Sequence, residues 1–329
     1  MKASAGTRVS PRRLMITGGG TGGHVYPGLA VAEKLLGLAP GTEIRFAGTA
    51  RGIEAALVPR AGHRFHRVPA SGFRGLGPLA RLRFLANFMA GWLRSLILLA
   101  GWRPDAVLGT GGYVSAPVMA AARTLGVPCT LQEQNAIPGS TNRLVGRWAR
   151  RIYLGFAGAA RYFDEARCLA TGNPVREAFL ARQPVPPGAE DLKKVLVFGG
   201  SRGAATLNAA AAAAASACTD RDDLALLVQT GAGKLEAVAG AYAGAVSDRV
   251  RILPFIDAMP EALAWADLVV CRAGAMTLAE LHCAGKPAIL VPFPHATDDH
   301  QMKNARDCQA AGAAVVLPDD RCDGPALVA

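Results

Sequence analysis

The chain has 329 residues, of which 51% are apolar and 6% aromatic, and it carries a formal net charge of +11. That length allows about two domains with large cores, and the composition excludes a disordered chain or a disulfide-built miniature. The basic excess favours anionic partners: phosphates, nucleic acid or acidic lipid.

The first 13 residues, MKASAGTRVSPRR, are polar and basic, lack the apolar stretch of a signal peptide, and read as a flexible tail. An apolar strand over Leu14–Thr17 then runs into a glycine loop, a histidine and a helical pattern, "TGGGTGGHVYPGLAVA". Gly18, Gly20 and Gly23 match G-x-G-x-x-G. A dinucleotide cofactor would also want an acidic residue at the end of the second strand. That strand, Glu43–Ala47, is followed by Gly48 and Thr49, so a nicotinamide-dependent oxidoreductase is disfavoured. Backbone amides and a helix start still suit a phosphate. His24 sits where a helix N-terminus would keep it neutral, as a general base must be; its plainer reading is a residue lining the loop.

From residue 55 to 104 there are eight arginines and no acid, with Phe73, Leu76, Leu79, Leu82, Phe84, Leu85, Phe88, Met89, Trp92, Leu93, Leu96 and Ile97 interleaved. An ordinary amphipathic helix pair fits, but a surface resting on anionic lipid fits better. Nucleic acid is set aside for want of a binding fold. The longest apolar stretch, Phe84–Leu99, is interrupted by Asn87 and Arg94, so no membrane span is expected. Strands at Ala106–Gly109 and Cys129–Gln132 follow, the second leading into Glu133, Gln134 and Asn135.

The grammar then restarts. A proline and glycine cluster, Pro184 to Gly188, reads as a linker. "KKVLVFGGSRGAATLN" repeats strand, glycine loop and helix, with Ser201 and Arg202 in the loop. Strands are expected at Val195–Phe198, Leu224–Gln229, Val250–Leu253, Leu268–Cys271 and Ala288–Val291. Strands alternating with helices imply α/β architecture, two Rossmann-like doubly wound parallel sheets facing a cleft. The domains are read as 14–174 and 193–329, joined by 175–192.

In "VVCRAGAMTLAELHCAGKP" a helix is expected to start near Thr277. Thr277 and Glu280 are spaced as a capping box; the functional alternative puts Glu280 on ribose hydroxyls and the helix N–H groups on a diphosphate. "PFPHATDDHQMKNA" offers His295, Asp298, Asp299, His300, Gln301 and Asn304 to sugar hydroxyls, in a spacing that matches no zinc motif. Seven scattered cysteines with no C-x-x-C pair read as free thiols in a reducing compartment.

Taken together, "GGGTGGHVYPGLAVA", "GTGGYVSAP", "EQNAIPGSTN", "TGNPVR", "VFGGSRGAATLN", "QTG", "FIDAMPEALAWADLVVCRAGAMTLAE" and "PFPHATDDHQMKNA" closely resemble the MurG family of UDP-N-acetylglucosamine:lipid-linked muramyl-pentapeptide N-acetylglucosaminyltransferases, in the family's order. The resemblance implies a GT-B fold and metal-free, cofactor-free inverting transfer to the muramyl 4-hydroxyl of an undecaprenyl-diphosphate carrier, at the cytoplasmic face of the inner membrane. It implies donor contacts at Thr21, Gly22, Gly23, Asn135, Arg176, Ser201, Ile256, Ala275, Met276, Thr277, Leu278, Ala279, Glu280 and Gln301. The acceptor diphosphate would face Gly20, Thr21, Gly22, Gly111 and Gly112. His24 is the expected base, with Glu133 and Tyr113 as lesser candidates. Gln132 stands where the family usually has histidine, and Arg202 where it commonly has glutamine. The family continues into further helices past the point where this sequence stops, so those helices are expected to be missing. The rivals are another UDP-N-acetylglucosamine enzyme of this fold, a 2-epimerase or glycolipid transferase, and a non-catalytic sugar-nucleotide-binding subunit.

Overall fold

A computed structural model of the protein describes residues 12–72, 78–180, 192–200, 202–217, 221–242, 247–296 and 299–328. The chain divides into two compact units, Met1–Glu177 and Ala178–Ala329. The linker cluster Pro184 to Gly188 and nearly all of the N-terminal tail lie outside the described residues.

In the first unit, strands β1 (Arg13–Gly18), β2 (Glu43–Gly48), β3 (Arg64–Arg67), β4 (Ala106–Gly111), β5 (Cys129–Glu133), β6 (Arg151–Leu154) and β7 (Cys168–Ala170) form one parallel sheet in the order β3-β2-β1-β4-β5-β6-β7. Helices α1 (Gly22–Leu38), α2 (Glu54–Arg60), α3 (Pro78–Trp102), α4 (Ser115–Thr124) and α5 (Ser140–Gly146) accompany it. Both faces are covered, so the central strands read as unbroken apolar runs. Neighbouring residues point to opposite faces. Ile16, Phe46 and Leu108 pack with Val25, Leu29 and Val58 from α1 and α2. Met15, Val107, Leu131 and Ile152 pack with Leu99, Val118, Met119 and Val145 from α3, α4 and α5. Gly28 lets α1 approach the sheet: a Cβ there would stand 2.9 Å from an Ile16 methyl. A short helix α6 (Glu177–Leu180) lies where the two units divide in sequence.

The second unit repeats the plan. Strands β8 (Lys193–Phe198), β9 (Leu224–Gln229), β10 (Val250–Leu253), β11 (Leu268–Cys271), β12 (Ala288–Leu290) and β13 (Ala314–Val316) run parallel in the order β10-β9-β8-β11-β12-β13. Helices α7 (Ala205–Ala217), α8 (Leu235–Ala239), α9 (Met259–Trp265), α10 (Ala275–Ala284), α11 (His300–Ala310) and α12 (Gly324–Val328) complete it. The alanine face of α7, with Ala210, Ala211 and Ala215, is flat enough to lie close against Val197 and Val228.

All nine strands expected from sequence are present. Four more, β3, β6, β7 and β13, went unpredicted because each has at most four residues and several carry arginine ends or half-exposed positions in place of an apolar run. Two helix readings also need correction. The segment Arg81–Trp102 is long and apolar enough, by length and mean hydropathy (1.4), to cross a membrane despite Asn87 and Arg94. The helix of "AGAMTLAE" begins at Ala275, not near Thr277, so Thr277 is inside the first turn and no capping box forms. The six described cysteines are free, and burial pushes the Cys129, Cys308 and Cys322 thiols up to about 11.

Candidate active site

In each sheet the strand order reverses beside the first strand, between β1 and β4 and between β8 and β11. Loops at the carboxyl ends of such strands diverge and leave room for a ligand. Both glycine loops lie at these points.

The first loop, Gly19 to Thr21, joins β1 to α1. It is locked to the loop after β4: the Gly19 N–H donates to the Gly111 carbonyl at 3.2 Å, and a Cβ on Gly112 would stand 2.3 Å from the Gly19 oxygen. Gly111 and Gly112 have φ of +104° and +80°, so glycine is required there. His24 projects from the first turn of α1. Its Nδ1 lies 3.1 Å from the Gly19 carbonyl oxygen and 3.3 Å from Thr21 Oγ1. A carbonyl only accepts, so Nδ1 carries the proton and the lone pair belongs to Nε2. The ring lies over Gly111, where a Cβ would stand 3.1 Å from Nε2 and 3.3 Å from Asn142 Nδ2. Tyr113 is exposed, its ring 3.6 Å from where Gly20 would carry a Cβ.

Glu133 is placed differently from a surface base. It is buried at the end of β5, where Oε1 accepts from the Asn135 N–H at 2.9 Å and from Asn135 Nδ2 at 3.3 Å. Oε2 accepts from Asn142 Nδ2 at 2.8 Å. Burial pushes its carboxyl above the ordinary range, against the pull of these hydrogen bonds and one from the Gly139 backbone. These hydrogen bonds tie it to the loop that carries Asn135. Asn142, which sequence reasoning missed, is buried, and its Oδ1 finds no hydrogen-bond partner among the described residues. Gln132 is buried too and ties the end of β5 to Asn173 at 2.9 Å. Arg176 stacks on Tyr26 of α1, 4.6 Å from the ring centre, and that ring in turn lies against Gly22.

Glu54 is the second residue missed. Its carboxylate is buried beneath the loop, accepting from the Gly20 N–H at 3.0 Å, the Thr49 N–H at 2.9 Å and the Thr49 hydroxyl at 2.7 Å. Gly20 was expected to face the acceptor diphosphate. Its N–H is spent on Glu54, and a phosphate at Gly20 would also face a carboxylate beneath it. The only sequence sign of Glu54 is its place among glycines 48 and 52, after "AGT".

The second loop carries Arg202 and is held by a buried amide and a lysine: Lys234 Nζ donates to the Gly203 carbonyl at 3.4 Å. Gln229, buried at the end of β9, donates to the Gly200 carbonyl at 3.0 Å and accepts from the Ile256 N–H at 2.9 Å. Gly203 (φ +65°) rests on the Thr230 carbonyl, where a Cβ would stand 1.8 Å away. Gly274 is the N-cap of α10 and has no side chain of its own to cap the helix, and the Leu278 N–H closes the first helical bond on Gly274. The amides of the first turn are those a helix leaves without an internal partner. Ala275, Met276 and Leu278 are buried, while Thr277, Ala279 and Glu280 are half-buried. Arg272, just before the turn, is fixed by Asp319 at 2.5 Å and by the Val291 and Pro292 carbonyls. Gln301 Oε1 accepts from the Phe293 N–H at 3.0 Å, and Asn304 donates to the Ala273 carbonyl at 3.3 Å. Among the described residues no group of His, Cys, Asp and Glu could hold a metal. Ser201 and Asp298 lie outside the described residues, as do Phe73, Arg74 and Leu76.

Two family models match the chain: the glycosyltransferase family 28 N-terminal domain over residues 14–154 and its C-terminal domain over 194–329. The chain is 44% identical, over 96% of its length and 87% of the relative's, to the UDP-N-acetylglucosamine–N-acetylmuramyl-(pentapeptide) pyrophosphoryl-undecaprenol N-acetylglucosamine transferase of Geobacter metallireducens. The chain belongs to the MurG family. The transferase of the same name from Acidithiobacillus ferrooxidans is 48% identical over 94% of this chain and 85% of the relative. The crystal structure of Acinetobacter baumannii MurG superposes with a TM-score of 0.74 at 31% identity, over 97% of this chain and 89% of that one. The fold is therefore GT-B, with the glycine loops of the MurG family at the ends of β1 and β8. A UDP-N-acetylglucosamine 2-epimerase from Listeria monocytogenes, described as putative, shares the fold alone, at 15% identity and a TM-score of 0.68, over 97% of this chain and 86% of that one.

Proposed function

We infer that the chain is an inverting glycosyltransferase that moves N-acetylglucosamine from UDP-N-acetylglucosamine to the lipid-linked muramyl-pentapeptide, the step from lipid I to lipid II in peptidoglycan synthesis. The observation that carries this reading is 44–48% identity, over nearly the whole chain, to transferases with that printed activity.

His24 is the base in this reading. Its Nε2 lone pair takes the proton of the muramyl 4-hydroxyl as that O–H bond breaks. The freed oxygen forms a bond to the anomeric carbon, and the bond to UDP breaks with its electron pair on the diphosphate. Attack from the opposite face gives the β linkage. Helix N–H groups suit the charge that develops on the leaving diphosphate. Those of α10 and the second glycine loop take that role, with Arg176 as a further cation. Glu280 and Gln301 serve the ribose and the sugar, Ile256 lies by the uracil, and Asn135, Thr21, Gly22 and Gly23 serve the transferred sugar. Glu133 and Asn142 hold the loop under the acceptor.

The acceptor's carrier is a lipid, and α3 offers a surface for it. Leu82, Leu85, Met89, Leu93 and Ile97 repeat every three or four residues and stand exposed, beside Arg81, Arg83 and Arg94. The opposite face, with Gly91, Ser95 and Leu99, is buried. Such a helix suits the headgroup layer of an anionic membrane, which supports a reading of the enzyme as peripheral at the cytoplasmic leaflet. A hollow of about 410 Å³, ringed by Arg123, Arg147, Arg150 and Arg167, extends the basic character of this unit.

The test is incubation of the purified chain with labelled UDP-N-acetylglucosamine and a lipid I analogue. Labelled lipid product is expected. Free N-acetylmannosamine or labelled UDP-N-acetylmannosamine would instead indicate an epimerase, and nucleotide binding without turnover a subunit that needs a partner.

A further inference from the structure

His24 and Glu54 touch the same peptide group from opposite ends. The carbonyl of the Gly19–Gly20 peptide accepts from His24 Nδ1–H at 3.1 Å. The N–H of that peptide donates to Glu54 Oε2 at 3.0 Å. A trans peptide points its N–H and C=O in opposite directions, and no cis bond occurs among the described residues. The three groups therefore stand in series: carboxylate, peptide, imidazole.

We propose that Glu54 is a positioning residue for the transfer reaction, acting on His24 through the Gly19–Gly20 peptide group. The proposal rests on the reading of His24 as the base. A carboxylate at the N–H end polarises the peptide and makes its carbonyl a stronger acceptor, since hydrogen bonds in a chain reinforce one another. The stronger acceptor holds the Nδ1–H tautomer and keeps the lone pair on Nε2. Once Nε2 has taken a proton, the same carbonyl and the carboxylate behind it stabilise the imidazolium.

Room for this carboxylate is built into the fold. A Cβ on Gly19, Gly48 or Gly52 would stand 2.3, 2.5 or 2.1 Å from an atom of the Glu54 side chain. Every hydrogen-bond partner named for it is a donor, which suits the ionised form. Bracing alone does not call for the charge. In the second unit the corresponding loop is braced by the neutral amide of Gln229, with Lys234 Nζ on the Gly203 carbonyl, and neither brings a negative charge. A negative charge beneath a loop that meets a diphosphate-linked substrate works against binding, so the charge has another use.

Among the described residues, other ionisable groups near His24 include Tyr113, whose ring lies by Gly20, Glu133, reached through Asn142 beside Gly111, and Arg176, stacked on Tyr26 of α1. None changes when Glu54 is replaced, so their influence cancels between wild type and variant.

The experiment compares the full chain with Glu54→Gln and Glu54→Ala by ¹⁵N NMR titration of the His24 ring, by pH–rate profiles and by donor binding. Gln keeps the shape and loses the charge. For folded Glu54→Gln, kcat is expected to fall about 10- to 30-fold, a loss within the reach of general base catalysis, with the donor Kd within about twofold. The His24 ring should titrate roughly half a unit to one unit lower, and the acidic limb of the pH–rate profile should move with it. An unmoved His24 titration in folded Glu54→Gln overturns the proposal, as does a kcat loss that matches only the fraction of protein unfolded. A moved titration alongside a fully active His24→Ala variant keeps the link between the two residues and removes His24 as the base. An unmoved titration alongside an inactive His24→Ala variant does the reverse.

Discussion

The two glycine loops are written in nearly the same letters and wired differently. The first is held from below by the charged Glu54, spends its Gly20 amide on that carboxylate, and presents His24. The second is held by Gln229 and Lys234, carries Arg202, and stands in the same unit as the first turn of α10. A carboxylate repels an anion and steadies a proton on a nearby base, whereas a frame of neutral and basic groups beside helix amides accepts an anion. In the function proposed above, the same motif serves proton transfer in one unit and diphosphate binding in the other.

The sharpest way to break this comparison is to remove the histidine. His24→Ala should lower kcat about 10³-fold with little change in UDP affinity, as expected for loss of a general base, and steady-state kinetics with calorimetric UDP titration would read both. A similar loss of UDP affinity would instead make the first loop part of the UDP site.

The next largest effect belongs to the second loop. Gly203→Ala forces a Cβ to 1.8 Å from the Thr230 carbonyl oxygen at φ +65°. It should cost about 3 kcal/mol in urea unfolding and weaken UDP at least tenfold. Gly200→Ala shares the positive φ (+80°) but, chain neighbours aside, no atom of the described residues lies within 4 Å of its Cβ, so about 1 kcal/mol is expected.

A smaller effect sharpens the membrane reading. Leu85→Glu on the exposed face of α3 should lower affinity for anionic vesicles about tenfold in sedimentation, through lost apolar burial and added repulsion. UDP affinity should not move. Unchanged vesicle binding would remove this stripe from the contact.

The smallest effect is expected at Glu133. Glu133→Gln should reduce kcat only about three- to tenfold, since Asn142 can turn its amide and present the Oδ1 that has no partner among the described residues. Loss on the scale of His24→Ala would make Glu133 the base. Its pH signature has a definite sign. The folded state raises this carboxyl, so it holds its proton more tightly than the unfolded chain does. Its contribution to stability is therefore present at low pH and is lost as pH rises from the ordinary carboxylate range through the raised value. Urea midpoints across that range should slope less in the variant.

The core strands and both loops were legible in the sequence because buried parallel strands leave unbroken apolar runs and each run here ends in glycine. His24 was legible for the same reason, since it follows the loop directly. Glu54 and Asn142 were not. Both act through contacts with residues distant in the chain: Glu54 lies 34 residues from Gly20, and Asn142 lies 31 residues from Gly111. The capping-box reading of Thr277 and Glu280 failed because Gly274 already has the extended backbone of an N-cap, which moves the helix start to Ala275. Local spacing cannot reveal that.

The division of labour between the loops is tested most directly by adding UDP to the ¹⁵N-labelled chain and following backbone amide shifts. The account predicts the largest shifts at Gly200, Gly203 and the Ala275–Thr277 turn, with Gly19 to Gly23 nearly still. Shifts centred on Gly19 to Gly23 would contradict it.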